Sequence, residues 1–267
     1  MAIARDKFWL FGVRPHQDDI FMCRGRGVKR KSRRSRITPA EGAAMLDVPN
    51  VAMIVCQGEP VSYSEDAYGY MESFRRMKKV LWGAAGSGGF RIGNEEKFIV
   101  DLAAEYPNIC GAYLDDMIGT YTPEQALATL KTVRAELDRA CRPMELNATW
   151  YFNKEAPAGV PDYLDTLTVW TWRHEELADL KDNFEALEES APKQKKILGI
   201  YMFDFEEGRP IPDEYMAMQC EFGLDMLRQG RADGLMFEAN SVMGLGFESE
   251  KYLTNWIDKV KDTVVPD

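Results

Sequence analysis

Apolar residues in this chain come in short runs, each followed by a polar turn and then by a stretch with helical spacing. The runs lie at 8–13, 51–56, 78–84, 109–116, 144–152, 167–174, 196–207 and 234–240. Their length and their Gly, Pro, Asn and Asp boundaries predict eight buried strands. Between them the chain carries helix signals. Thr38, Pro39 and Glu41 make a capping box with proline at the first helical position, and Thr122, Pro123 and Gln125 repeat the pattern. After Thr122, the residues Leu127, Leu130, Val133 and Leu137 form one apolar stripe; after Ser64, Tyr68, Met71 and Phe74 recur at three-residue spacing. Further helices are expected at 94–106, 175–189, 213–229 and 247–260, with a short one at 162–166.

Eight strands alternating with helices over 267 residues predict the α/β class and a single (β/α)8 TIM barrel spanning 1–267 around one core. A doubly wound sheet is the runner-up. It needs fewer strands and a phosphate-binding glycine pattern after the first, and this chain has no such pattern. The glycine-rich stretch GAAGSGG at 83–89 lacks the P-loop spacing, although such a loop brings backbone N–H groups near a ligand. Residues 20–37 show no apolar period and read as a long basic loop.

In a barrel of this kind the working face is built from the C-terminal ends of the strands. After strand one stand Arg14, His16, Asp18 and Asp19; after strand four, Asp115 and Asp116. Glu145 and Asn147 lie in strand five with Trp150 and Tyr151 beyond them, and strand six ends with Trp170, Trp172, Arg173 and His174. Strand seven ends with Tyr201, Asp204 and Glu206, and strand eight with Glu238 and Asn240. Strand beginnings carry solvating residues such as Asp6, Lys78 and Lys195, whereas the ends collect carboxylates, tryptophans and both histidines. Stability alone does not require that asymmetry. Strand alternation places Asp115 and Asp116 on different sides, so one of the two is expected in the mouth, with Asp116 favoured.

Composition refines the picture. The net charge of −10 argues against nucleic acid as a partner, and no run approaches the length of a membrane span. The eight Lys and Arg of 24–36 form a segregated patch without an acid. This loop reads as a solvated lid, and on closure it would favour an anionic or otherwise modified sugar. The five cysteines show no C-x-x-C pairing and read as reduced, mostly core thiols. With no signal-like start, a cytoplasmic location is expected. Oligomeric state is not encoded in any of these patterns.

Several acids among tryptophan and tyrosine are what glycosidic-bond chemistry needs. One carboxylic acid protonates the leaving oxygen, a carboxylate acts opposite as nucleophile or base, and flat rings stack on sugar C–H faces. The motifs YLDD at 113–116, WTWRH at 170–174, YMFDF at 201–205 and FEAN at 237–240 resemble the broad class of TIM-barrel glycoside hydrolases and related bacterial proteins. The resemblance implies an acid/base at Asp115 or Asp116 and a nucleophile at Asp204 or Glu206. Strand four ends in DD where a large subgroup has NE. The expected catalytic set is Asp116, Asp115, Asp204 and Glu238, acting without a cofactor on a small-molecule carbohydrate. The other strand-end residues named above, Glu145, Asn147 and Tyr151 apart, are expected to bind it. Two alternatives stay open: a divalent-metal-dependent sugar lyase, aldolase or isomerase, with His16, Asp18, Asp116 and Glu238 as the ligand set, and a non-catalytic carbohydrate-binding barrel.

Overall fold

The computed structural model describes residues 1–16, 34–152 and 159–267. Eight parallel strands close into a barrel: β1 (Phe8–Gly12), β2 (Asn50–Met53), β3 (Lys79–Ala85), β4 (Ile109–Leu114), β5 (Glu145–Tyr151), β6 (Thr166–Trp170), β7 (Lys195–Tyr201) and β8 (Gly234–Glu238). Consecutive strands are neighbours, and β8 closes the ring by pairing with both β7 and β1. The expected (β/α)8 barrel is therefore the fold.

Seven α-helices lie among the described residues: α1 (Pro39–Met45), α2 (Glu65–Ser73), α3 (Glu95–Glu105), α4 (Pro123–Leu137), α5 (Leu180–Ser190), α6 (Asp213–Arg228) and α7 (Glu248–Val260). Both capping boxes form. Thr38 accepts from the Glu41 N–H while Glu41 accepts from the Thr38 N–H, and Thr122 and Gln125 make the same exchange. On α4 the buried stripe is Ala126, Leu130, Val133 and Leu137. The short helix expected at 162–166 is instead a single 3-10 turn at Pro161–Tyr163, since Thr166 already begins β6. The helix expected from Glu175 starts as a 3-10 segment at His174–Asp179 and becomes α-helical only at Leu180.

Several strands stop earlier than their apolar runs. β4 ends at Leu114, β6 at Trp170 and β7 at Tyr201, so Asp115, Asp116, Trp172 and Arg173 sit in loops. After β7 the chain makes a two-residue ladder, Phe203–Asp204 against Arg209–Pro210. A second ladder joins Ala2–Ile3 to Val264–Val265. Of the described cysteines, Cys56 and Cys220 are buried, whereas Cys110 is half-buried and Cys141 exposed. No described helix is long and apolar enough to cross a membrane.

Inside the barrel, side chains from alternate positions fill the space beneath the mouth. Phe11 meets Tyr113 and Trp170 edge-on, with ring centroids 6.1 and 5.6 Å apart. Gly199 makes room for this layer, because a Cβ there would lie 2.0 Å from the Trp170 ring. The inner face of β5 is polar instead. Thr168 donates to Asn147 at 3.1 Å, and Thr149 lies 3.0 Å from the Tyr113 hydroxyl. That polar wall leads up to the end of β4.

Candidate functional site

At the C-terminal mouth a pocket of about 560 Å³, counted out to its opening, lies over the buried layer. Asp115, Asp116 and Glu238 are its carboxylates, and among the described lining residues there is no Lys or Arg. Its walls include Tyr151, Trp170, Trp172, Tyr201 and Phe205.

Both acids after β4 reach this pocket, which corrects the expectation that alternation would turn one away. The strand has ended at Leu114, and Asp116 takes a φ of +50°. That left-handed turn brings its side chain back toward the mouth, a conformation Asp and Asn adopt more readily than most residues. Asp115 is buried, accepting from the Thr149 hydroxyl at 2.8 Å and from the Ser87 hydroxyl at 3.3 Å. Asp116 accepts from the Tyr151 hydroxyl at 2.7 Å and from the Gly88 N–H at 3.0 Å. The glycine-rich loop after β3 thus contributes a hydroxyl to one acid and a backbone N–H to the other.

These environments differ electrostatically. Burial, and then the adjacent Asp116, raises Asp115 well above the usual carboxylate range, against the pull of its Thr149 and Ser87 hydrogen bonds. The Tyr151 phenol is raised by burial and then by Asp116 and Asp115. The Tyr201 phenol is raised by burial, then by Tyr151, Glu238 and both aspartates. Two phenols on different strands therefore feel all three carboxylates. Glu238 is the last residue of β8, four strands from β4 in a ring of eight, so it approaches from the opposite side of the mouth. Gln219, buried on α6, holds the end of β7 by accepting from the Tyr201 N–H and donating to the Tyr201 carbonyl.

Several residues expected in the site stand elsewhere. Asp204 is buried and braces its own loop: it lies 2.5 Å from His174 Nδ1 and accepts from the Glu207 N–H at 2.8 Å. Burial pushes its pKa up, but the hydrogen bonds from His174 and Glu207 outweigh that, and the net shift is downward. Asn240 is fully buried and clamps the end of β1, accepting from the Val13 N–H and donating to the Val13 and Ile37 carbonyls. Trp150 is buried on the other face of β5 from Thr149 and Tyr151 and does not line the pocket. Arg14 pairs with Glu59 at 3.4 Å and Arg173 with Glu175 at 3.6 Å, all four at least partly exposed. His16 is exposed and outside the lining. Glu206 is exposed and accepts from Trp172 Nε1 at 3.5 Å, bracing a ring that does line the pocket. Asp18 and Asp19 lie outside the described residues, as does the basic run up to residue 33.

Sequence reasoning missed Ser87 and Phe205 as members of the site, and Thr149 as its support, and it placed Tyr151 at the end of strand five without giving it a role. For Tyr151 a signal existed, since it shares the inner face of β5 with Asn147 and Thr149. For Phe205, which follows a two-residue strand after β7, the apolar run offered none.

Among the described residues one group of His, Asp and Glu is close enough to share a cation: His174, Asp204 and Glu207, with ligand atoms within 4.8 Å of one another. Its hydrogen bonds do not fit a resident metal. Arg209 can only donate, so His174 Nε2 accepts from it at 3.0 Å and the ring proton sits on Nδ1, facing Asp204. Both imidazole nitrogens are engaged, and the Arg209 guanidinium already pairs with Glu207. Of the described members of the other expected set, Asp116 and Glu238 line the pocket and His16 does not, while Asp18 lies outside the described residues.

No protein-family model matches the sequence. No curated protein matches it either. Solved structures do match in fold. An endo-alpha-mannosidase of family GH99 from Bacteroides thetaiotaomicron superposes with a TM-score of 0.60 at 10% identity, covering 96% of this chain and 97% of its own. A chitinase from the same organism gives 0.57 at 10% identity, with 97% of each chain covered. An F420-dependent secondary alcohol dehydrogenase gives 0.52 at 11% identity, covering 96% and 99%. The fold is thus shared with TIM-barrel glycoside hydrolases, and also with an oxidoreductase; at this identity the likeness describes the fold alone.

Proposed function

We propose that this protein is a glycoside hydrolase, or a closely related carbohydrate-active enzyme, working through the Asp115–Asp116 pair and Glu238. The observation that carries the reading is the placement of these carboxylates: two adjacent acids in unlike environments at the end of β4, and a third on the opposite strand, in one aromatic pocket. Adjacent carboxyls resist ionising together, so the pair retains one proton more readily than an isolated acid. In the proposed reaction the pair delivers that proton to the leaving oxygen, and Glu238 acts across the sugar as nucleophile or as base toward water. Tyr151 and the Gly88 N–H orient Asp116 by donating to its carboxylate oxygens. The aromatic rings line the pocket and exclude water from the reacting carboxylates. As proposed, the chemistry uses carboxylates and a phenol and calls on no metal or organic cofactor.

The test compares Asp116→Asn and Glu238→Gln on aryl glycosides of differing leaving-group acidity. Loss of the proton donor hurts poor leaving groups most and spares dinitrophenyl glycosides. Loss of the opposite carboxylate depresses all of them and is relieved by azide or formate. Unchanged turnover in both variants, or no turnover by the parent protein across a panel of glycosides, would overturn the reading.

A further inference from the structure

The rings around the pocket stand at mixed angles: Trp172 and Phe205 are nearly parallel, at 22° with centroids 6.2 Å apart, and the others are turned against them. Tyr151 and Trp172 stand at 87° with centroids 6.1 Å apart. Trp172 and Tyr201 stand at 89° and 6.1 Å, and Tyr201 and Phe205 at 70° and 6.1 Å. Rings at such different angles cannot all present the same aspect to the pocket, so its wall offers both faces and edges. Ring faces carry negative quadrupole charge and attract a cation within about 6 Å. The same pocket holds Asp115, Asp116 and Glu238, with no Lys or Arg among its described lining residues.

Both features select the same ligand charge. A carboxylate, sulfate or phosphate on the sugar would enter a space walled by three carboxyl groups and π faces. An ammonium group would meet cation–π attraction from several rings and ion pairing from Asp116 or Glu238, in a site partly closed to water, where such contacts are stronger than in bulk.

We infer that the sugar bound here carries a free amine, so that the substrate class is an amino-sugar glycoside and not an anionic one. The inference rests on the carbohydrate reading above, but it concerns charge at the binding step and is measured without turnover. It also reverses the preference expected from the basic loop, whose lysines and arginines up to residue 33 lie outside the described residues.

Calorimetric titration at neutral pH tests it with the 2-amino-2-deoxy forms of glucose, galactose and mannose. Each is compared with its parent sugar, its N-acetyl derivative and its uronic acid. Expected is a preference of about tenfold or more for the amine over all three counterparts in at least one stereochemical series. That preference should shrink in Trp172→Ala and, as a milder second variant, in Phe205→Leu. Equal or tighter binding of the parent sugar or uronic acid, or no binding of any amino sugar at millimolar concentration, would overturn the inference. Cyclohexylamine is the control for a cation without a sugar, and binding as tight as the best amino sugar would overturn it too. Turnover of neutral glycosides without amine preference removes this inference and leaves the hydrolase. Amine-selective binding without turnover does the reverse.

Discussion

Thr149 Oγ1 donates a 2.8 Å hydrogen bond to Asp115 Oδ1 from inside the barrel, and the Tyr113 hydroxyl lies 3.0 Å from the same threonine oxygen. A hydroxyl has one proton, so with Thr149 committed to Asp115, Tyr113 is the donor to Thr149. The fold thus supports the least exposed acid of the site through two side chains on adjacent strands.

Removing that donor has a defined sign. The Thr149 hydrogen bond lowers the pKa of Asp115, so Thr149→Val leaves the acid harder to ionise. The pH–rate profile of the variant should move toward higher pH wherever it reports the Asp115–Asp116 pair, and Thr149→Ser should restore it. Stability should fall by about 1–3 kcal/mol, the cost of leaving a buried polar group poorly satisfied. A profile that does not move while stability drops would assign Thr149 a structural role only.

Asp115 also couples protonation to folding. Its folded pKa is raised, so its contribution to stability is complete below the unfolded value of about 4 and is lost as pH rises through the folded value. Asp115→Asn keeps the shape and cannot ionise. Its melting temperature relative to the parent should therefore climb over a pH series that starts at about 4 and rises. Scanning calorimetry across that range gives the answer, and a difference that is flat or falls with pH would contradict the assignment.

Asp116 allows chemistry to be separated from folding. At a φ of +50°, asparagine is tolerated nearly as well as aspartate, whereas alanine adds strain of about 1 kcal/mol. Asp116→Asn is expected to lose about 10²–10⁴-fold in kcat/KM, the usual worth of a positioned acid or base, with melting close to the parent. Tyr151→Phe removes one of the two donors to Asp116. It should cost about 10–100-fold, corresponding to one hydrogen bond to a charged group. A Tyr151→Phe enzyme as slow as Asp116→Asn would mean that the phenol itself takes part in proton transfer.

The barrel was legible because each strand is a short apolar run and each helix opens on a recognisable cap, as at Thr38 and Thr122. The acids of the mouth were legible where an apolar run turns abruptly acidic: YLDD and FEAN both reach the pocket. The same transition misled at FDFEE and again at FEAN. A polar residue at a strand end is equally useful for tying down a loop, and Asp204 and Asn240 do that while remaining buried. What separates the two uses is where the strand stops. Pattern fixes the presence of a strand better than its last residue, and the turn at Asp116 begins after that point.

The His174–Asp204 contact supports a prediction of the opposite pH sense to that of Asp115. Asp204 has a lowered folded pKa: burial acts upward, but the hydrogen bonds from His174 and Glu207 prevail. Its stabilisation is therefore present above the unfolded value of about 4 and is lost as pH falls through the folded value. Asp204→Asn should lower stability at neutral pH by about 2–4 kcal/mol, as expected when a buried charged hydrogen-bond network is broken. The deficit should narrow as pH falls below about 4, because the parent then begins to lose the same interaction. With both His174 nitrogens engaged and Arg209 beside Glu207, zinc, manganese or a chelator should leave the melting temperature of the parent unchanged. A rise on adding either metal that is absent in Asp204→Asn would show that the cluster rearranges around a cation, and would favour the metal-dependent alternatives.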